Sequence, residues 1–134
     1  MSNKFAHHLC IQTNTYLESL RFYTECLGFK LVQESPNFHG REFNTWIQLE
    51  NFYIELQTGK NKEILPEANT NSQGLSHFCL WVHDLKSEVV RLQELNIEFI
   101  LKNNQYIYHV ENGSLCKIKA PEGTIIELRD NKGI

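Results

Sequence analysis

Polar and apolar residues follow one order along the first half of the chain and repeat it along the second. Strand-like alternation or short apolar runs mark residues 6–13, 29–35, 42–49 and 52–58. The same signals return at 76–82, 97–102, 106–110 or 114–120, and 124–129. Between the first two strands of each half lies a helical pattern. Leu20, Tyr23 and Leu27 fall on one face of the first helix; Leu85, Val89, Leu92 and Leu95 fall on one face of the second. Both helices are expected to stop at a residue suited to a left-handed cap, Gly28 in "LGF" and Asn96 in "LNI".

The two halves are copies of one another. "HLCIQTNTYLESLRFY" (8–23) and "HFCLWVHDLKSEVVRL" (77–92) share a His-apolar-Cys-apolar opening, at an offset of 69 between His8 and His77. "ENFYIEL" (50–56) and "EGTIIEL" (122–128) share the closing strand, at an offset of 72 between Glu55 and Glu127. The extra residues fall between 97 and 123, around "KNNQYIYHVENGS". The expected fold is α+β, one domain over 1–134 built of two tandem βαβββ modules, about 5–58 and 75–130. The polar linker 59–74 carries Pro and Gly and joins them.

Side chains two apart on a strand share a face. His8 therefore shares one with Cys10, and His77 with Cys79; Glu55 and Glu127 stand inside the apolar runs "YIEL" and "IIEL". Taken singly, a mid-strand Glu or His is ordinarily solvent-facing or hydrogen-bonded within the fold. Two His and two Glu matched by a repeat form a set, and an embedded carboxylate calls for a cation. Neutral imidazoles and carboxylates suit Ni²⁺, Co²⁺, Zn²⁺, Mn²⁺ or Fe²⁺, which makes His8, Glu55, His77 and Glu127 candidate metal ligands. The match of "AHHLC" to "LSHFC" sets Ser76 opposite His7, so His7 is assigned to the outer face without chemistry.

Composition narrows the classes further. The net charge is −3 with Lys and Arg scattered, which argues against a nucleic-acid partner. No apolar run reaches the length of a membrane span, and the N-terminus lacks an apolar signal core. The four cysteines, Cys10, Cys26, Cys79 and Cys116, form no CxxC pair, so free thiols and a reduced, cytoplasmic location are expected.

The stretches "HHLCIQT", "SLRFYTECLGFKLV" and "APEGTIIELRD" resemble the vicinal oxygen chelate superfamily, which includes glyoxalase I, bleomycin-resistance proteins, extradiol dioxygenases, epimerases and fosfomycin-resistance thiol transferases. The resemblance covers almost the whole chain and implies paired βαβββ modules forming an open, curved mixed β-sheet around a metal-containing cleft, with a divalent metal at His8, Glu55, His77 and Glu127. A glutamate at position 55 is similar to the glyoxalase I pattern. That implies a lactoylglutathione lyase-like enzyme acting on a small substrate with vicinal oxygens through an enediolate. A ligand glutamate would move the proton, with Glu127 preferred over Glu55, and glutathione or another low-molecular-weight thiol would be the cosubstrate. The alternatives are a non-catalytic sequestering protein of the antibiotic-binding type, or another enzyme of the superfamily (epimerase, dioxygenase, thiol transferase). A homodimer is expected, with the ligands drawn from one chain or two.

The segment "ESPNFHGREFNTW" (34–46) is the candidate substrate-facing segment, with Arg41 as a carboxylate fork and Trp46 beside it. Its alternative reading is a surface arginine in a loop. His39 shares the segment; His83 reads as a residue before the second helix, and His109 as an edge-strand residue. Cys10 and Cys79 read as packing or cavity-lining thiols.

Overall fold

The computed structural model describes residues 2–134 and divides into two compact units, Met1–Pro66 and Glu67–Ile134. The first unit runs β1 (His8–Gln12), α1 (Tyr16–Arg21), β2 (Lys30–Phe38), β3 (Arg41–Leu49) and β4 (Phe52–Gln57). Its sheet has the order β1-β4-β3-β2, with β1 parallel to β4 and the other pairs antiparallel. The second unit runs β5 (Phe78–Trp81), α2 (Leu85–Glu94), β6 (Glu98–Ile100), β7 (Tyr108–Val110), β8 (Gly113–Lys119) and β9 (Ile125–Arg129). Its order, β5-β9-β8-β6, is the same topology, with β5 parallel to β9. The additional strand β7 pairs with β8 as a hairpin and accounts for the extra residues of the second half. Both segments offered for that strand, 106–110 and 114–120, contain one.

Each sheet sorts its side chains by parity. In the first unit Ile11, Ile47, Ile54 and Leu56 turn to the core, where Tyr16, Phe22, Tyr23 and Phe29 are also buried. In the second, Leu85, Val89 and Leu92 of α2 join the buried Cys116, Ile118, Ile126 and Leu128. The opposite face of each sheet carries the remaining residues, including His8, Cys10 and Glu55 in one unit and Cys79 and Glu127 in the other.

The first helix departs from its predicted stripe. After Arg21 the chain widens into a π turn, Phe22–Cys26, and Leu27 N–H reaches back to Phe22 O. The wider turn rotates the buried face onto Tyr16, Ser19, Phe22 and Tyr23, leaving Leu20 and Leu27 half-buried. In α2 Leu95 also departs: it is the C-terminal cap and is 47% exposed. Both stops fall where expected, in the left-handed region, at Gly28 (φ 82°) and Asn96 (φ 58°). Ile97 N–H to Leu92 O and Asn96 N–H to Gln93 O complete a Schellman cap. At the start of α2, the Asp84 side chain accepts from Ser87 N–H, while His83 rests edge-on to Trp81.

Tyr16 ties α1 to the sheet. Its ring stacks on Phe43 at 4.2 Å, and its hydroxyl donates to Glu34 Oε2 and meets Thr45 Oγ1, each at 2.5 Å. Burial, then the Glu34 hydrogen bond, push the phenol up from 10.0 to about 12. The folded protein thus holds this proton more tightly than the unfolded chain. The resulting stability is complete below pH 10.0 and is lost as pH rises towards about 12. Guanidinium unfolding across that range should show a shallower alkaline decline for Tyr16→Phe than for the parent chain; equal slopes would contradict the role given to Tyr16.

Candidate functional site

The parallel pairing in each unit sets the same three residues side by side. Cys10 stands opposite Glu55, and Cys79 opposite Glu127, in identical register. His8, on β1 two residues before Cys10, shares its site face, whereas His77 stands one residue before β5 and its direction is shown by its contact with Glu127. His8 Nε2 lies 3.9 Å from Glu55 Oε1; His77 Nε2 lies 3.4 Å from Glu127 Oε1. Two donors bound at about 2.1 Å to one cation lie roughly 3–3.4 Å apart at octahedral to tetrahedral angles. The second pair meets that spacing and the first lies a small side-chain rotation from it. The donor chemistry and spacing fit a divalent ion. Among the described residues no group of three or more His, Cys, Asp or Glu is placed to hold a metal ion.

The second oxygen of each carboxylate is also held. Asn44, 2% exposed, donates from Nδ2 to Glu55 Oε2 at 3.2 Å, and its own Oδ1 has no hydrogen-bond partner. Arg129 Nε lies 3.2 Å from Glu127 Oε2, near enough for an ion pair, though its N–H makes no aligned hydrogen bond. The two halves therefore place a neutral amide at one glutamate and a guanidinium at the other. Neither neighbour was singled out as functional from the sequence. Arg129 lies two residues beyond Glu127 on β9 and so shares its face, and Asn44 becomes legible only once β3 is registered against β4.

His7 corrects the sequence reading. It lies just before β1, where strand alternation no longer dictates its direction, and Tyr53 N–H donates to its carbonyl. Its ring stacks on Tyr53 at 5.0 Å and brings Nδ1 within 2.9 Å of His8 Nδ1. Trp46, opposite Glu55 in the ladder, meets the His8 ring edge-on at 4.9 Å. His7, His8, Trp46 and Tyr53 thus form one aromatic cluster around the histidine. The segment 34–46 forms the β2–β3 hairpin, with His39 and Gly40 in the left-handed region at its turn. Arg41 opens β3 and its Nη1 donates to Gln12 Oε1 at 3.1 Å and Thr58 O at 2.6 Å, which turns its guanidinium to the ends of β1 and β4. His109 lies on β7 and its Nδ1 is 2.6 Å from Ser114 Oγ.

All four cysteines are free thiols. Partial burial, then the neighbouring Glu55 or Glu127 carboxylate, push Cys10 and Cys79 each up to about 11. Burial pushes Cys116 up to about 12. Alkylation of Cys10 and Cys79 in the metal-free protein near pH 8 should run about 100-fold slower than for a thiol of ordinary acidity. Mass-spectrometric labelling rates equal to those of a free thiol would show instead that the two sulfurs keep ordinary acidity.

Residues 6–128 match the family model described as Glyoxalase/Bleomycin resistance protein/Dioxygenase superfamily. A Bacillus subtilis (strain 168) protein, described as uncharacterized protein YwkD, is 32% identical over 98 residues, 71% of this chain and 74% of its own. Two solved structures show the same fold. TnmS3, an antibiotic binding protein from Streptomyces sp. CB03234, superposes with a TM-score of 0.67 at 18% identity over 96% of this chain and 97% of its own. Lactoylglutathione lyase from Agrobacterium tumefaciens does so with a TM-score of 0.68 at 15% identity over 96% and 93%. Matched across nearly its whole length, and built of the same module twice, the chain belongs to the glyoxalase/bleomycin resistance/dioxygenase superfamily.

Proposed function

We propose that the two His–Glu pairs, His8 with Glu55 and His77 with Glu127, together ligate one divalent metal ion, and that the protein is a glyoxalase I-like lyase or isomerase. The pairs come from one chain or from two chains of a homodimer. The observation that carries this reading is the duplication of the pair itself: the same His, Cys and Glu, at the same ladder register, with the second carboxylate oxygen held by a dedicated neighbour in both halves. A scaffold kept only for folding has no need of two such polar pairs on otherwise apolar strands.

A bound divalent cation supplies Lewis-acid stabilisation of the negative charge that develops on vicinal oxygens when a neighbouring C–H proton is removed. The chain's own part is to take that proton and return it one carbon away, the work of a carboxylate. Glu55 and Glu127 are the two candidates. Their settings differ. Asn44 holds Glu55 by one amide bond, whereas the Arg129 cation lies against Glu127. Trp46 offers an aromatic wall beside His8, and Arg41 a cation at the far end of the same face. The substrate is a small molecule with adjacent oxygens, with glutathione or another low-molecular-weight thiol as cosubstrate, in a reducing cytoplasm that suits four free thiols.

Elemental analysis after purification without chelator should find about one ion of Ni, Co, Zn, Mn or Fe per set of two His and two Glu, and His8→Ala or His77→Ala should lower it. Assayed on methylglyoxal with candidate thiols, Glu→Gln at the base should cost about 100- to 10,000-fold in kcat. Full activity and full metal content in both Glu55→Gln and Glu127→Gln would sink the proposal. The second reading, a sequestering protein, draws on the likeness to the antibiotic binding protein. It requires ligand binding that is indifferent to metal, and a chain that never takes up a divalent ion would favour it.

A further inference from the structure

We propose that His7 is a positioning residue for His8: its Nδ1 accepts the Nδ1 proton of His8 and so leaves the Nε2 lone pair of His8 free on the side of Glu55. This rests on the metal reading above, because Nε2 is the His8 ring nitrogen that faces Glu55, and it can ligate a cation there only with its lone pair free. The geometry has two mutually exclusive states. The Nδ1 atoms are 2.9 Å apart, a hydrogen-bond distance, so one ring donates and the other accepts. If His7 donates, neutral His8 must carry its proton on Nε2, where it blocks a ligand bond. If His8 donates, Nε2 is bare, and it already faces Glu55 Oε1 at 3.9 Å. A ligating histidine characteristically donates its other ring N–H to a fixed acceptor, which sets tautomer and ring orientation. His7 is built to be that acceptor. Its carbonyl is tied to Tyr53 N–H, and its ring is stacked on Tyr53 at an interplanar angle of 20°. Trp46 stands edge-on to both imidazoles. The second module has Ser76 at the matching place, so this arrangement of paired rings distinguishes the two halves.

The test uses His7→Phe, which keeps a ring against Tyr53 but removes the acceptor, and His7→Asn, which restores an acceptor oxygen near the Nδ1 position. Nitrogen-15 spectra of the metal-free protein, recorded at about pH 8 where an ordinary imidazole is neutral, report the tautomer of His8. The expected result is an Nδ1–H His8 in the parent chain, a shift to Nε2–H in His7→Phe, and recovery in His7→Asn. Titration with Zn²⁺ or Ni²⁺ alone should show about 10- to 100-fold weaker binding for His7→Phe and near-parental binding for His7→Asn. A His8 tautomer unchanged by His7→Phe, or equal metal affinity in all three proteins, overturns the proposal. Failure of the parent chain to bind any divalent ion overturns the metal reading instead, and the tautomer comparison then decides the His7–His8 contact by itself.

Discussion

Parallel pairing of the first and last strands of each unit is the constraint from which the candidate site follows. A strand that closes its module beside the one that opened it must travel out through a helix and back through two antiparallel strands. That path gives β1-β4-β3-β2 in one unit and β5-β9-β8-β6 in the other. It also fixes which residues meet. With Cys10 against Glu55 and Cys79 against Glu127, a histidine two residues upstream falls within 4 Å of a glutamate 47 to 50 positions away in sequence. A slip of one residue in either ladder would turn the glutamate to the core and the pair would be lost.

The same parity divides labour between the two faces of each sheet. One face buries Ile47, Ile54 and Leu56, or Ile118, Ile126 and Leu128, at 0% exposure. The stability of each unit rests there, under α1 with its π turn or under α2. The other face is left free for polar chemistry, and its carboxylates are steadied by side chains from the sheet itself, Asn44 from β3 and Arg129 from β9. Strands carry His8, Glu55 and Glu127, and His77 stands one residue before β5, so rigid elements set most of this geometry.

Much of this was legible in the sequence because a repeat supplies its own control. The match of "HHLC" to "SHFC" and of "YIEL" to "IIEL" gave the modules, the strand order of residue types and the paired histidines and glutamates. Gly28 and Asn96 marked both helix ends for a conformational reason, since both positions adopt positive φ. What lay outside the repeat was harder to read. The π turn after Arg21 has no signature in apolar spacing, so Leu20 and Leu27 were given too much burial. His7 was placed by alternation, yet it lies outside β1, where alternation has no force. Asn44 and Arg41 depend on cross-strand neighbours, which no local pattern reveals. The fold likeness, in turn, does not choose among chemistries: a lyase and an antibiotic binding protein superpose on the chain about equally well.

The central claim is that the duplicated His–Glu pair exists to hold a metal ion. Its most direct test is a crystal of the protein grown with Ni²⁺ or Zn²⁺ and measured at the absorption edge of that metal. The account predicts an anomalous peak bonded to His8 and Glu55 and to His77 and Glu127, with His8 and His77 contributing Nε2. A peak elsewhere, or density in which these four side chains remain unligated at saturating metal, would contradict it.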